Sequence, residues 1–213
     1  MVKSQFQVAR TSINYRKYDL HSRMNRTRHI LFAGLFAALT ATGAFIKIPF
    51  YPVPFTLQTF FTALAGLALP AEWAALSQMV YIVIGLSGIP VFSSGGGFGY
   101  ILQPTFGYLI FLPLSAYTIS KWTFRPGRRS MVKTLMIVMA GMLITLCGGA
   151  LWLCFYFRYI VQKDISLFQI VYSGMIIFLP AMVIKALLAG FIWNALKRRY
   201  PNIGIENFKK ITQ

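Results

Sequence analysis

Met131–Phe157, MVKTLMIVMAGMLITLCGGALWLCFYF, carries no charged side chain after Lys133. An apolar run of that length meets the roughly 17–25 residues a helix needs to cross a bilayer. It shows no sustained alternation, which argues for helix and against a barrel strand. Working outward, five more apolar runs appear: Ile30–Ile46, Phe55–Leu69, Trp73–Ser87, Ile101–Trp122 and Leu167–Leu196. Only 12% of the 213 residues are charged and 57% are hydrophobic, whereas a soluble domain carries about 25% charged residues. The expectation is an all-α membrane protein. Six transmembrane helices form a compact bundle over residues 29–196, between basic tails at 1–28 and 197–213. The second and third runs are short, roughly 23 Å at the helical rise against a hydrocarbon thickness of about 30 Å. They need flanking aromatics or burial within the bundle.

The net charge of +17 raises nucleic acid binding, but its distribution argues against it. Basic residues gather before the first run, around Lys121–Lys133, and after Lys197. Clusters between apolar runs follow the positive-inside pattern. With four spans before the middle cluster and two after it, all three clusters and both termini fall on the cytoplasmic side. That implies a multi-pass inner-membrane protein. The other side receives Lys47–Pro54, Gly88–Tyr100 and Arg158–Ser166. The first holds Pro49, Pro52 and Pro54 and the second Gly95, Gly96, Gly97 and Gly99, so irregular backbone concentrates on the outer face. Such backbone is tolerated where it is buried or lines a cavity, which suggests an outward-facing site under two loops.

Several chemistries lack their residues. The acids Asp19, Glu72, Asp164 and Glu206 all lie outside the runs, and His21 and His29 lie in or beside the basic tail. Proton relays within the membrane need such groups, and an H-E-x-x-H metal motif is absent. No Lys follows the glycine run, so it is not a phosphate loop for ATP. Neither a catalytic residue, a metal site nor a cofactor is expected. Cys147 and Cys154, seven apart in one helix, are too distant for a disulfide and read as packing residues.

Lys185 is the exception to an uncharged interior. An ionisable residue within a membrane span is a functional candidate, here a polar anchor for an anionic or hydrogen-bonding ligand, although a snorkelling lysine is the plainer alternative. Ala33, Ala37 and Ala41 recur every fourth residue, with Gly34, Ala38 and Thr42 one step round. Such stripes let helices approach closely, either within the chain or against a partner subunit.

Gly43–Gln58, GAFIKIPFYPVPFTLQ, with Leu64–Gly66 and Gly85–Phe92 (GLSGIPVF), resembles the BioY family, the biotin-specific substrate-binding subunits of energy-coupling-factor (ECF) transporters. Pro104-Thr105 with Gly107-Tyr108-Leu109 resembles its PTGGYL motif, and Leu179-Pro180 with Lys185 its LPGDxxK motif. The resemblance covers roughly residues 30–195. It implies a six-helix subunit that captures biotin from outside, with a transmembrane coupling subunit and two ATPases as partners. By the same resemblance, Gln58, Tyr81, the Phe92–Gly97 loop with Gly95 and Gly96, and Lys185 form the biotin pocket. Ala33, Ala37 and Ala41 then match the family's AxxxA docking signature. Two positions depart from the pattern: Met182 stands where the family has Asp, and Phe106 where it has Gly. Without that acid, Lys185 is expected to pair with the ligand carboxylate. Rival readings are a capture subunit for another vitamin, such as thiamine or riboflavin, an intramembrane transferase, and a structural membrane protein.

Overall fold

In the computed structural model, residues 26–125, 130–163 and 165–199 are described. Most of the two basic tails, and Arg128, Arg129 and Asp164, lie outside the described residues. The chain divides into two units, Met1–Phe32 and Ala33–Gln213, and the contacts below belong to the second. Helix α1 spans Arg26–Phe45. A short hairpin follows, β1 (Lys47–Ile48) antiparallel to β2 (Phe55–Thr56), with Lys47 opposite Thr56. Then come α2 (Gln58–Ala68), α3 (Ala71–Leu86), a 3-10 turn at Phe98–Leu102, α4 (Phe106–Ile110) and α5 (Leu112–Thr123). Helix α6 (Met131–Phe155) runs on into a π turn at Tyr156–Ile160. Helix α7 (Leu167–Gly174), a 3-10 turn at Ile176–Phe178 and α8 (Leu179–Arg199) complete the described chain.

Among the described residues, three helical stretches are long and apolar enough to cross a membrane: Arg26–Phe45, Met131–Ile160 and Leu167–Arg199. Helices α2 and α3 are apolar but shorter. Glu72, expected outside the third run, lies in the first turn of α3, where the helix dipole favours a carboxylate.

Two of the expected helices are broken. The run Ile101–Trp122 is a 3-10 turn followed by α4 and α5, with Pro113 in the first turn of α5. Proline has no N–H and its ring meets the carbonyl four residues back, so α4 cannot continue through it. The run Leu167–Leu196 breaks in the same way between Gly174 and Leu179, just ahead of Pro180. Backbone groups freed near these breaks find side chains. The Tyr108 hydroxyl donates to the Gly174 carbonyl at 2.6 Å, and the Trp152 indole donates to the Gln103 carbonyl at 3.0 Å.

Helix α5 packs against α2, α3 and α6, while α6 also meets α4, α7 and α8, and α2 meets α8. The sides turned outward are as apolar as the core. Helix α8 buries Met182, Ala186, Ala189, Gly190 and Trp193 but exposes Ile184, Leu187, Leu188 and Phe191. A helix apolar all round suits a lipid solvent, and small residues on its inner face allow close packing there.

On α1, Ala33 and Ala37 are buried within the chain itself and Ala41 is half-buried. Ala37 packs in the cluster that contains Tyr81 and Leu112. The exposed small residues of this helix are Gly34, Ala38 and Thr42. Two alanines of the stripe matched to the docking signature are thus buried within this chain, Ala37 with Ala41 beside it in the cluster that holds Tyr81 of α3.

Candidate functional site

Both broken runs open onto one cavity. Its wall is formed by Leu109 and Leu112 at the first break, Phe178 at the second, Met142 and Leu146 of α6, and Met182 of α8. Polar groups enter from the hairpin and α2 (Thr56, Gln58, Thr59), from Ser93, from Thr105 and Tyr108, and from Lys185. An apolar chamber with a few convergent polar groups is the usual form of a small-molecule site.

Lys185 follows Met182 by three residues and so shares its inner face on α8. Its ammonium donates to the Thr56 carbonyl at 2.7 Å and to the Thr59 hydroxyl at 3.2 Å. An ammonium has three donors, so one stays open among the described residues. Both partners are neutral, and no described carboxylate lines the cavity. The cation is held in place but not balanced.

Gln58 is buried at the start of α2. Its amide nitrogen donates to the Tyr81 hydroxyl at 2.6 Å, and its carbonyl accepts from the Thr56 hydroxyl at 2.7 Å. Tyr81 stands behind Gln58, outside the cavity lining, and donates to the Val91 carbonyl at 3.2 Å. A second buried chain braces α2: the Thr62 hydroxyl donates to the Gln78 carbonyl at 2.9 Å, and Gln78 in turn donates to the Ser77 hydroxyl at 3.0 Å. Replacing Gln58 with Leu leaves the Tyr81 and Thr56 hydroxyls without this partner. Tyr81 keeps the Val91 carbonyl, whereas the Thr56 hydroxyl is stranded, at a cost of about 1–3 kcal/mol. The Gln58→Leu chain is expected to lose both thermal stability and ligand affinity, and unchanged values in a melting and titration series would contradict this placement.

Phe92 is fully buried and also outside the cavity lining. Its ring meets Tyr81 edge-on at 5.4 Å and lies 4.5 Å from Tyr100. It also rests on Gly85, where a Cβ would come within 2.1 Å of the ring. Phe92 and Gly95 pair across a tight turn, and Gly95 has φ +117°, a conformation that favours glycine. Gly96 and Gly97 continue the loop, with the Gly97 amide on the Gly85 carbonyl at 2.7 Å. The loop therefore presents Ser93 to the cavity, while Phe92, Gly95, Gly96 and Gly97 shape and anchor it. Of the residues picked from sequence, Gln58 and Lys185 meet at the cavity, Tyr81 supports Gln58, and the other four build the loop.

Thr56, Thr59, Thr105, Tyr108 and Phe178 were not named for the pocket, and Ser93 entered only as part of the Phe92–Gly97 loop. Thr105 and Tyr108 belong to the Pro104–Leu109 motif, and Phe178 directly precedes Leu179-Pro180, so adjacency to a motif was their available signal. Met142 and Leu146 had none.

A family model described as "BioY family" matches residues 14–202. The chain belongs to the BioY family. Within that family, "Probable biotin transporter BioY" of Lysinibacillus sphaericus is 55% identical over 97 residues, covering 46% of this chain and 50% of that protein. This alignment thus spans half the relative's length. "Biotin transporter BioY" of Thermotoga maritima is 35% identical over 172 residues, covering 80% of this chain and 96% of that one. Among solved structures, the BioY-family fold matches the crystal structure of "the S-component for biotin from an ECF-type ABC transporter", with a TM-score of 0.70 and 26% identity over 82% of this chain and 93% of the other. The relatives are named as transporters, and this BioY-family chain is a membrane protein with the same fold.

Proposed function

We propose that the chain captures biotin in the cavity beside Lys185 and serves as the substrate-binding subunit of an ECF-type transporter. The observation that carries this reading is the site itself. A largely apolar chamber holds one unbalanced ammonium and a buried carboxamide, in a chain whose relatives are named for biotin. Biotin supplies matching chemistry: an apolar bicycle and chain, a ureido group that both donates and accepts, and one carboxylate. Lys185 takes the carboxylate through its open donor, and Gln58 lies on the polar wall for the ureido end. Six spans with cytoplasmic termini place the hairpin and the glycine loop on the outer face, in the bacterial inner membrane. A coupling subunit and two ATPases supply the energy.

Titration of the purified full chain with biotin, thiamine and riboflavin tests the ligand. Saturable submicromolar binding of biotin alone is the expected result. Preference for another vitamin, or saturation by none, would overturn it.

A further inference from the structure

Lys47 has no part in the capture site as described so far, yet it joins the two loops above it. It stands opposite Thr56 in the hairpin, and the carbonyl of Thr56 is the acceptor for Lys185. Its ammonium donates to the carbonyl of Ser93. Ser93 sits at the tip of the turn closed by the Phe92–Gly95 pair, with the Phe92 amide on the Gly95 carbonyl at 2.9 Å. The base of that turn is fixed by Phe92 against Gly85, Tyr81 and Tyr100. Within the bundle, the Ser93 hydroxyl lies 3.2 Å from that of Tyr100, which accepts from Thr105 at 2.9 Å. Ser93, Thr105 and the hairpin residue Thr56 all line the cavity. One exposed lysine therefore ties the hairpin to a glycine-bearing turn across the cavity.

We infer that Lys47 is a positioning residue that latches the hairpin to the Ser93 turn and thereby sets how long a captured ligand stays. This rests on the proposed capture function. A charge-assisted bond to a single carbonyl is strong enough to hold two loops together and can break without disturbing the buried core. Its rupture releases the tip of the turn, while Lys185 and Gln58 keep their places.

The test uses the full chain loaded with radiolabelled biotin and chased with unlabelled ligand. Lys47→Met is expected to speed release roughly ten-fold, equal to about 1.4 kcal/mol, with little change in the association rate, and Lys47→Arg restores most of the retention. The same ratio is expected with biotinamide, which lacks the carboxylate. Equal release from Lys47→Met and the parent overturns the latch, as does an effect confined to biotin, which would make Lys47 a direct ligand contact. A parent chain that retains no biotin counts against the capture function instead. The latch is then decided without ligand, by nitroxide labels at Tyr51 and Ser94 in a chain with both native cysteines replaced. A distance distribution that broadens in Lys47→Met supports it, and identical distributions overturn it.

Discussion

Replacing Lys185 with Met is expected to weaken biotin binding by about a hundred-fold, or roughly 3 kcal/mol. Methionine keeps much of the apolar length, so the change removes charge more than volume. The ammonium is fixed by Thr56 and Thr59, so little ordering is left for ligand binding to supply. Its partners are neutral, so a ligand carboxylate displaces no existing ion pair. Desolvated charge pairs in such settings are worth several kcal/mol when one member is removed. Biotinamide separates two roles for the lysine. Its affinity is expected to change by less than about three-fold in Lys185→Met, because it has no carboxylate to lose. Equal losses for biotin and the amide would place the ureido group on Lys185 instead. Unchanged binding of both would remove Lys185 from the site.

The second large effect concerns the close contact of α4 with α6. A Cβ at Gly149 would come within 2.2 Å of the Tyr108 ring, and one at Gly148 within 2.2 Å of the Phe111 ring. Gly107 faces Trp152 in the opposite sense, with a hypothetical Cβ only 2.0 Å from that side chain. These glycines let the broken fourth segment lie directly on α6. Leu at position 149 must push Tyr108 away, and Tyr108 both lines the cavity and holds the Gly174 carbonyl. Overpacking of this kind costs about 1–3 kcal/mol and occasionally more. Gly149→Leu is therefore expected to lower the melting midpoint in detergent by roughly 5–10 °C and to weaken biotin binding with it. Leu151→Ala, on the exposed side of the same helix, is the control that leaves both nearly unchanged. A Gly149→Leu chain that melts and binds like the parent would mean that α4 does not lie on α6 in this way.

Helical character and the approximate ends of α2, α3 and α6 were legible because apolar composition and helix length are local properties. The two breaks were not read, although Pro113 and Pro180 stand inside the runs. An apolar run hides them because membrane helices often carry proline without ending. The prolines end the helices here, and what lets the breaks persist is tertiary: Tyr108 and Trp152 satisfy backbone groups near them, and neither contact has a sequence signature. The same limit explains the site. Lys185 was conspicuous as a lone charge in an apolar run. Gln58 came from its motif. Phe92 was itself picked for the pocket but turns away from it, because Gly85 leaves a socket for its ring. The alanine stripe of α1 was legible as a packing device, but which side of the helix faced the bundle was not. Gly34, Ala38 and Thr42 have the same spacing as Ala33, Ala37 and Ala41, and only the fold distinguishes them.

A structure of the full chain with biotin bound bears most directly on the site. The ligand is expected between Gln58 and Lys185, beneath the hairpin and the Ser93 turn, with a carboxylate oxygen about 2.7–2.9 Å from the Lys185 ammonium. Biotin found outside this chamber, or within it but out of reach of Lys185, would contradict the account.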